Sequence, residues 1–291
     1  MILACCALYS FLGCSALLGP SVYIGLFAQQ FNVDPNTAAG LVNYPNLAYG
    51  FGSLVLVPLY QKIGRRPVML GSLVLYAAGL IAAAQCTTFS GLMGARVVHA
   101  FGSGVCEALP VQLVNDVFFL HERGKKIGWY TAGLCLGSTG PLFAGYMLAG
   151  GYSWTLFFYV EFAFAVALLI MAFFFVEESK FKRLPPPFSE SNSESRIDAR
   201  TGEPVKIESA AEHLSEVGST LNVPARKSFA AQLKPWSPID HEAPFFITMA
   251  RAFTYLLVPS TFWVITTYGL YIGLGGLSFN FIFPLKIVQP P

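Results

Sequence analysis

The ionisable residues that stand out in this 291-residue sequence lie inside its apolar stretches. The fourth stretch holds a group of them: Arg96, His99 and Glu107, with Ser103 between. Eleven positions separate Arg96 from Glu107, about three turns at 3.6 residues per turn, so an unbroken helix puts all four on one face. A carboxyl whose charged form is disfavoured by burial can take up and release a proton, and a nearby guanidinium opposes its neutralisation. Relative movement of Arg96 and Glu107 would then change how tightly the carboxyl holds its proton, which makes Glu107 the first candidate for proton coupling. His99, a lone imidazole, reads more readily as a packing or hydrogen-bonding residue. Glu161, near Tyr159 in the sixth stretch, is a second candidate carboxyl, with a place at the lipid interface as the alternative. An ionisable residue at the centre of a membrane helix costs about 2.5–3.5 kcal/mol on insertion scales. The Arg96–Glu107 face should therefore look into a cavity or onto neighbouring helices, the alternative being a buried pair satisfied by those helices.

These residues must be positioned by membrane helices. The chain is 54% hydrophobic and 12% charged, with a mean hydropathy of +0.56, far from soluble averages. A net charge of +2, from 18 Lys+Arg against 16 Asp+Glu, points to no nucleic-acid partner. The six cysteines (Cys5, Cys6, Cys14, Cys86, Cys106, Cys135) fall in apolar stretches without CxxC spacing, which supports neither a disulfide framework nor a metal site. No Gly-Lys-Ser/Thr phosphate loop and no HExxH helix occurs. The sequence therefore supports no enzyme, no cofactor and no ATP-driven step.

A hydrocarbon core of about 30 Å needs roughly 20 apolar residues. Seven spans are expected, over 2–28, 39–60, 67–87, 91–116, 127–148, 154–176 and 246–285, the last overlong and open to a break. The links alternate in charge. Those around Asp34, Thr87–Thr88 and Gly150–Ser153 lack Lys and Arg, whereas Lys62/Arg65/Arg66, Arg123/Lys125/Lys126 and Lys180/Lys182/Arg183 are basic. The positive-inside rule then puts the amino terminus and every second link in the cytoplasm. After Phe175 the composition turns to Ser, Glu, Pro and Lys, and such a segment buries too little apolar area to offset its ordering entropy. The expected organisation is a six-helix bundle over 1–176, a disordered cytoplasmic loop over 177–244, and over 245–291 the first helix of a second, incomplete half.

Several motifs together resemble the major facilitator superfamily, and within it the fungal drug:proton antiporter-like branch. The link after the second span, Val57 to Arg66, follows the signature Gly-x-Leu-small-Asp-Arg-x-Gly-Arg-Arg, matching it at Leu59, Gly64, Arg65 and Arg66. Lys62 stands for its Arg, Gln61 for its Asp and Val57 for its first Gly. Arg96 to Gly102 is similar to an Arg-x-x-Gln-Gly element, and Asn115 to Gly124 to the branch's link after the fourth span. Gly140-Pro141-Leu142-Phe143-Ala144-Gly145, with Gly137 upstream, resembles the antiporter motif of the fifth span. Pro259 to Trp263 and Tyr268-Gly269 also look like the branch.

The resemblance implies an all-α membrane protein of the major facilitator type: six transmembrane helices, a long cytoplasmic loop and a seventh transmembrane helix. It implies a cytoplasmic gate at Gln61, Lys62, Gly64, Arg65 and Arg66, with Asp116 the partner of Arg65. The signature Asp helps close that gate, so Gln61 alters the latch. It further implies a secondary transporter, proton-coupled, of drug-like or polyamine-like small molecules, in the plasma membrane. Tyr9, Tyr23 and Tyr44 are expected substrate contacts. Glycines of the fifth span allow close helix approach and Pro141 a bend. Because one helix follows the loop, the chain alone is expected not to transport and to be prone to homo-association. The rival readings are a truncated, non-transporting membrane interaction protein and a seven-helix receptor, the latter opposed by the basic links.

Overall fold

Residues 2–176, 245–271 and 273–274 are described by the computed structural model, and among them no strand occurs. Six long helical segments come first. α1 (Ile2–Leu18) passes through a 3₁₀ turn, Gly19–Tyr23, into α2 (Ile24–Phe31), and α3 (Pro35–Ile63) and α4 (Arg65–Gln85) follow. The fourth segment is α5 (Phe89–Ser103) and α6 (Ala108–Val117), the fifth α7 (Leu120–Gly137) and α8 (Gly140–Ala149), the sixth α9 (Trp154–Phe175).

Local chemistry sets the ends. The side chains of Asp34, Thr88 and Ser153 accept hydrogen bonds from the backbone N–H groups of Asn36, Gly91 and Thr155, capping α3, α5 and α9. Gly64 alone separates α3 from α4. Its φ of 122° lies where side-chain-bearing residues are strained, so the chain reverses there in a single residue.

Ile2–Phe31, Arg65–Gln85, Phe89–Val117, Leu120–Ala149 and Trp154–Phe175 are long and apolar enough to cross a bilayer. α3, at 29 residues, is long enough but carries Asn43, Asn46, Gln61 and Lys62 and is not among them. The core forms where α4 meets α5 and α9, α5 meets α3, and α1 meets α7. Contact is closest at glycine, as small residues permit between membrane helices. A Cβ on Gly79 would lie 2.5 Å from the His99 backbone nitrogen, and one on Gly137 2.5 Å from the Phe11 carbonyl oxygen.

Three expected spans are interrupted: the first at Gly19–Tyr23, the fourth between Ser103 and Ala108, the fifth at Ser138–Thr139. Each break has a proline in it or in the first turn after it (Pro20, Pro110, Pro141), which removes one helical donor. The basic residues Arg123, Lys125 and Lys126 belong to the first turns of α7, a helix that starts earlier than the expected 127. The expected seventh span is also bent. α10 (Phe245–Thr254) runs through a 3₁₀ turn, Tyr255–Leu257, and meets α11 (Pro259–Leu270) at 91°. Pro259 disfavours helix at the residue before it, and Val258 is extended. The 177–244 segment expected to be disordered, and the span's continuation to 285 beyond Leu274, lie outside the described residues.

Candidate functional site

The interruption of the fourth span creates the site. In an unbroken helix the Pro110 nitrogen would face the Cys106 carbonyl, but it has no hydrogen to give. The Cys106 carbonyl instead accepts from Ser10 Oγ of α1 at 2.6 Å. Gly104 lets the turn press onto α3, since a Cβ there would sit 2.7 Å from the Tyr49 backbone carbonyl oxygen and the Ser53 backbone nitrogen. Beside the turn opens a cleft of about 410 Å³, lined by Tyr49, Ser53, Gly104, Glu107, Ala108, Val111 and Tyr130. Tyr130 donates its hydroxyl to the Glu107 backbone carbonyl at 2.9 Å. The Tyr49 hydroxyl meets Cys106 Sγ at 3.3 Å. Glu107 itself is exposed at the start of α6, with its side chain making no capping bond.

A second polar group occupies the interior between α1, α4, α5 and α9. Arg96 is fully buried and donates from Nη2 to the Leu17 carbonyl, in the last turn of α1 before the Pro20 break, at 3.0 Å. His99, also fully buried, meets the Tyr76 ring edge-on with centroids 6.1 Å apart. Tyr76 donates its hydroxyl to the Leu12 carbonyl at 2.8 Å and lies beside the Glu161 carboxyl. Glu161, 4% exposed, accepts from Ser15 Oγ at 2.6 Å. Among the described residues Arg96 Nε and Nη1, both ring nitrogens of His99 and Glu161 Oε2 have no hydrogen-bond partner.

The single polar face expected along the fourth span is therefore divided. Arg96, His99 and Ser103 point into the bundle while Glu107 faces the cleft, because the turn at 104–107 ends the helical register that would have aligned them. Glu161 lies inside the bundle and not at the lipid interface. Tyr9 and Tyr23, expected at a substrate, are buried: Tyr9 bonds Ser72 Oγ at 2.7 Å and Tyr23 donates to the Ala144 carbonyl at 3.0 Å. Tyr44 is 59% exposed and lies outside the cleft lining. Tyr49, Ser53 and Tyr130 line the cleft instead. The sequence signal for them was Pro110, which marks where the fourth span must open.

At the α3–α4 turn, Arg65 Nε meets Asp116 Oδ2 at 2.8 Å, with the two side chains 16% and 19% exposed. Arg66, 2% exposed, turns instead to the last turn of α9, donating from Nη2 to the Phe173 carbonyl at 2.6 Å and lying 5.6 Å from that ring's centre. Gln61 is exposed and Lys62 half-buried. In the fifth span a Cβ on Gly140 would lie 2.7 Å from the Ser15 oxygen, and Pro141 opens α8. Gly145 has ordinary space before it, its nearest neighbour being Val22 Cγ1 at 3.8 Å. Among the described residues no group of three or more His, Cys, Asp or Glu is placed to hold a metal ion.

Six long helical segments, five of them apolar enough to cross a bilayer and three of them broken, around a polar interior and a side cleft define an integral, multi-pass membrane protein. Residues 3–289 match the Major Facilitator Superfamily, and the chain belongs to that family. It is 27% identical over 197 residues to the MFS-type transporter ucsD of an Acremonium species, covering 66% of this chain and 31% of that protein. It is 26% identical over 181 residues to the probable transporter AQR1 of Saccharomyces cerevisiae, covering 62% of this chain and 30% of that one. In fold it is similar to a bacterial homologue of the human lysosomal transporter Spinster, with a TM-score of 0.54 at 15% identity, covering 67% of this chain and 46% of the other. The chain thus spans under a third of the length of these two curated relatives. Family membership displaces the seven-helix receptor reading.

Proposed function

We propose that this chain supplies the amino-terminal bundle of a secondary active transporter that moves small organic molecules in exchange for protons. The observation that carries this reading is the cleft at the broken fourth span, which the exposed Glu107 lines together with Tyr49, Ser53 and Tyr130. A carboxylate among aromatic rings suits a drug-like or polyamine-like cation, by charge and by cation–π attraction. In such folds the site lies between two bundles that rock about it, so a second bundle would close the cleft on its open side.

The Arg65–Asp116 pair and the α9 contact of Arg66 are assigned to the gate, where they hold the α3–α4 turn as one unit while the bundles rock. The basic links support a cytoplasmic amino terminus, and the plasma membrane is the proposed location. In a cysteine-free background, an impermeant maleimide added to intact cells should label a cysteine at Asn36 and spare one at Lys126. The reverse pattern would invert the topology.

The transport reading is tested in inside-out vesicles from cells making this bundle together with the second bundle that the reading requires. A proton gradient should drive saturable uptake of a lipophilic organic cation, lost in Glu107→Gln while gradient-independent exchange persists. Gradient-driven uptake that survives Glu107→Gln would move the coupling role away from the cleft.

A further inference from the structure

Two backbone carbonyls in succession, those of Cys106 and Glu107, accept hydrogen bonds from hydroxyls of two other spans. Pro110 leaves the Cys106 carbonyl without its helical donor, and Ser10 Oγ of α1 supplies one at 2.6 Å. The Glu107 carbonyl is taken by the Tyr130 hydroxyl of α7 at 2.9 Å. The first bond repairs a loss that the sequence imposes. The second grips the backbone of the very residue whose side chain lines the cleft. α7 meets the rest of the bundle along a narrow face, its buried residues being Tyr130 and Gly137, about two turns apart. On that side glycine brings α7 close to α1, since a Cβ on Gly133 would lie 3.1 Å from the Ala7 Cβ and carbonyl oxygen. The adjoining positions Trp129 and Leu136 are 64% and 60% exposed, and Leu120–Ala149 is the least buried of the five apolar spans. Tyr130 thus stands both in the cleft wall and on the turn, and a body that closes the cleft bears on it.

We propose that Tyr130 is a positioning residue for Glu107: its hydroxyl fixes the 104–107 turn so that the Glu107 side chain stays in the cleft, and it passes movement of α7 to that side chain. The role rests on Glu107 as the coupling carboxylate proposed above. Without the bond the turn loses its tie to α7 and relaxes toward the helical register from which Pro110 diverts it. In that register position 107 falls about one turn beyond Ser103, on the buried face that carries Arg96 and His99. The side chain then leaves the cleft. Tyr49 offers the contrast within the same cleft. Its hydroxyl also reaches the turn, but at a side chain, Cys106 Sγ at 3.3 Å, and so does not hold the backbone that carries Glu107.

The test reads the placement of position 107 and is independent of transport. In a cysteine-free background of the full chain, Glu107→Cys and, separately, Ser53→Cys in the same cleft are treated in native membranes with a small, charged methanethiosulfonate reagent, and the rates of modification are compared with and without Tyr130→Phe. The substitution should slow modification at position 107 about fivefold, the shift expected when one net hydrogen bond is lost, and leave position 53 unchanged. Replacing Tyr130 by 4-aminophenylalanine, which keeps an N–H donor at the same place, should restore the rate, and Tyr49→Phe should leave position 107 unchanged. An unchanged or faster rate at position 107 in Tyr130→Phe would overturn the proposal. Equal slowing at positions 107 and 53, or an equal effect of Tyr49→Phe, would overturn it as well, since either marks a general change in the cleft. Slow modification at position 107 with Tyr130 in place would instead remove Glu107 from the cleft, and the transport reading would fall with it. Should Tyr130→Phe fail to insert, 4-fluorophenylalanine, closer in size to Tyr and without the O–H donor, takes its place with the same outcomes.

Discussion

The two sides of the fourth span make opposite use of ionisable side chains. On the interior side Arg96, His99 and Glu161 are almost fully buried, and Arg96 and Glu161 each have one bond to α1, through the Leu17 carbonyl and Ser15 Oγ. On the cleft side Glu107 is exposed and uncapped, with only its backbone carbonyl engaged by Tyr130. The polar residues of this span therefore divide into groups buried against neighbouring helices and a group left open to the cleft. The short turn at 104–107 performs the division.

This contrast is open to attack from the interior first. Arg96→Ala leaves the Leu17 carbonyl without its donor and opens a void at the centre of the bundle. It should destabilise the protein by about 2–4 kcal/mol, seen as a lower melting temperature in detergent. Stability unchanged by Arg96→Ala would mean that the interior group is not structural. Gly137→Val forces a side chain against the Phe11 carbonyl at the α1–α7 contact. Its expected cost is about 1–3 kcal/mol, with less monodisperse protein on size-exclusion chromatography, whereas Gly145→Ala, whose added methyl meets only an ordinary contact with Val22, should be neutral. Smaller still is the partly exposed Arg65–Asp116 pair. A double-mutant cycle with Ala should give a coupling of under about 1 kcal/mol, weaker at high salt, so that an effect on transport without one on melting would place the pair in the gate. Least of all, Glu107→Gln should leave the melting temperature within the scatter expected of an exposed substitution, about 0.5 kcal/mol.

Much of the fold was legible because a bilayer dictates simple requirements. Long apolar runs separated by alternately basic links gave the helical class, and the six segments from 2 to 176 appear in order. Arg65 and Asp116 were paired through resemblance, and the structure brings them together at 2.8 Å. The bend at Pro141 and a break in the last span are legible, but the breaks at Pro20 and Pro110 are not, because apolar content alone does not distinguish a straight span from an interrupted one. That omission misplaced Glu107 relative to Arg96, and with it the cleft. Tyr49, Ser53 and Tyr130 carry no pattern of their own. They become a group only when α3 and α7 are set around the turn, which depends on the close approach at Gly104. The inward side of Glu161 could not be read from periodicity, since α9 is apolar on every face and its one Ser15 contact comes from 146 residues away.

The most direct test of the division is accessibility at the two carboxyl positions, measured without reference to any substrate. In a cysteine-free background, Glu107→Cys and Glu161→Cys are each treated in native membranes with a small, charged methanethiosulfonate reagent, then denatured and counted with maleimide. The cleft account predicts rapid reaction at position 107, and protection at position 161 until the protein is unfolded. Equal reactivity at both, or protection at 107 with reaction at 161, would contradict it.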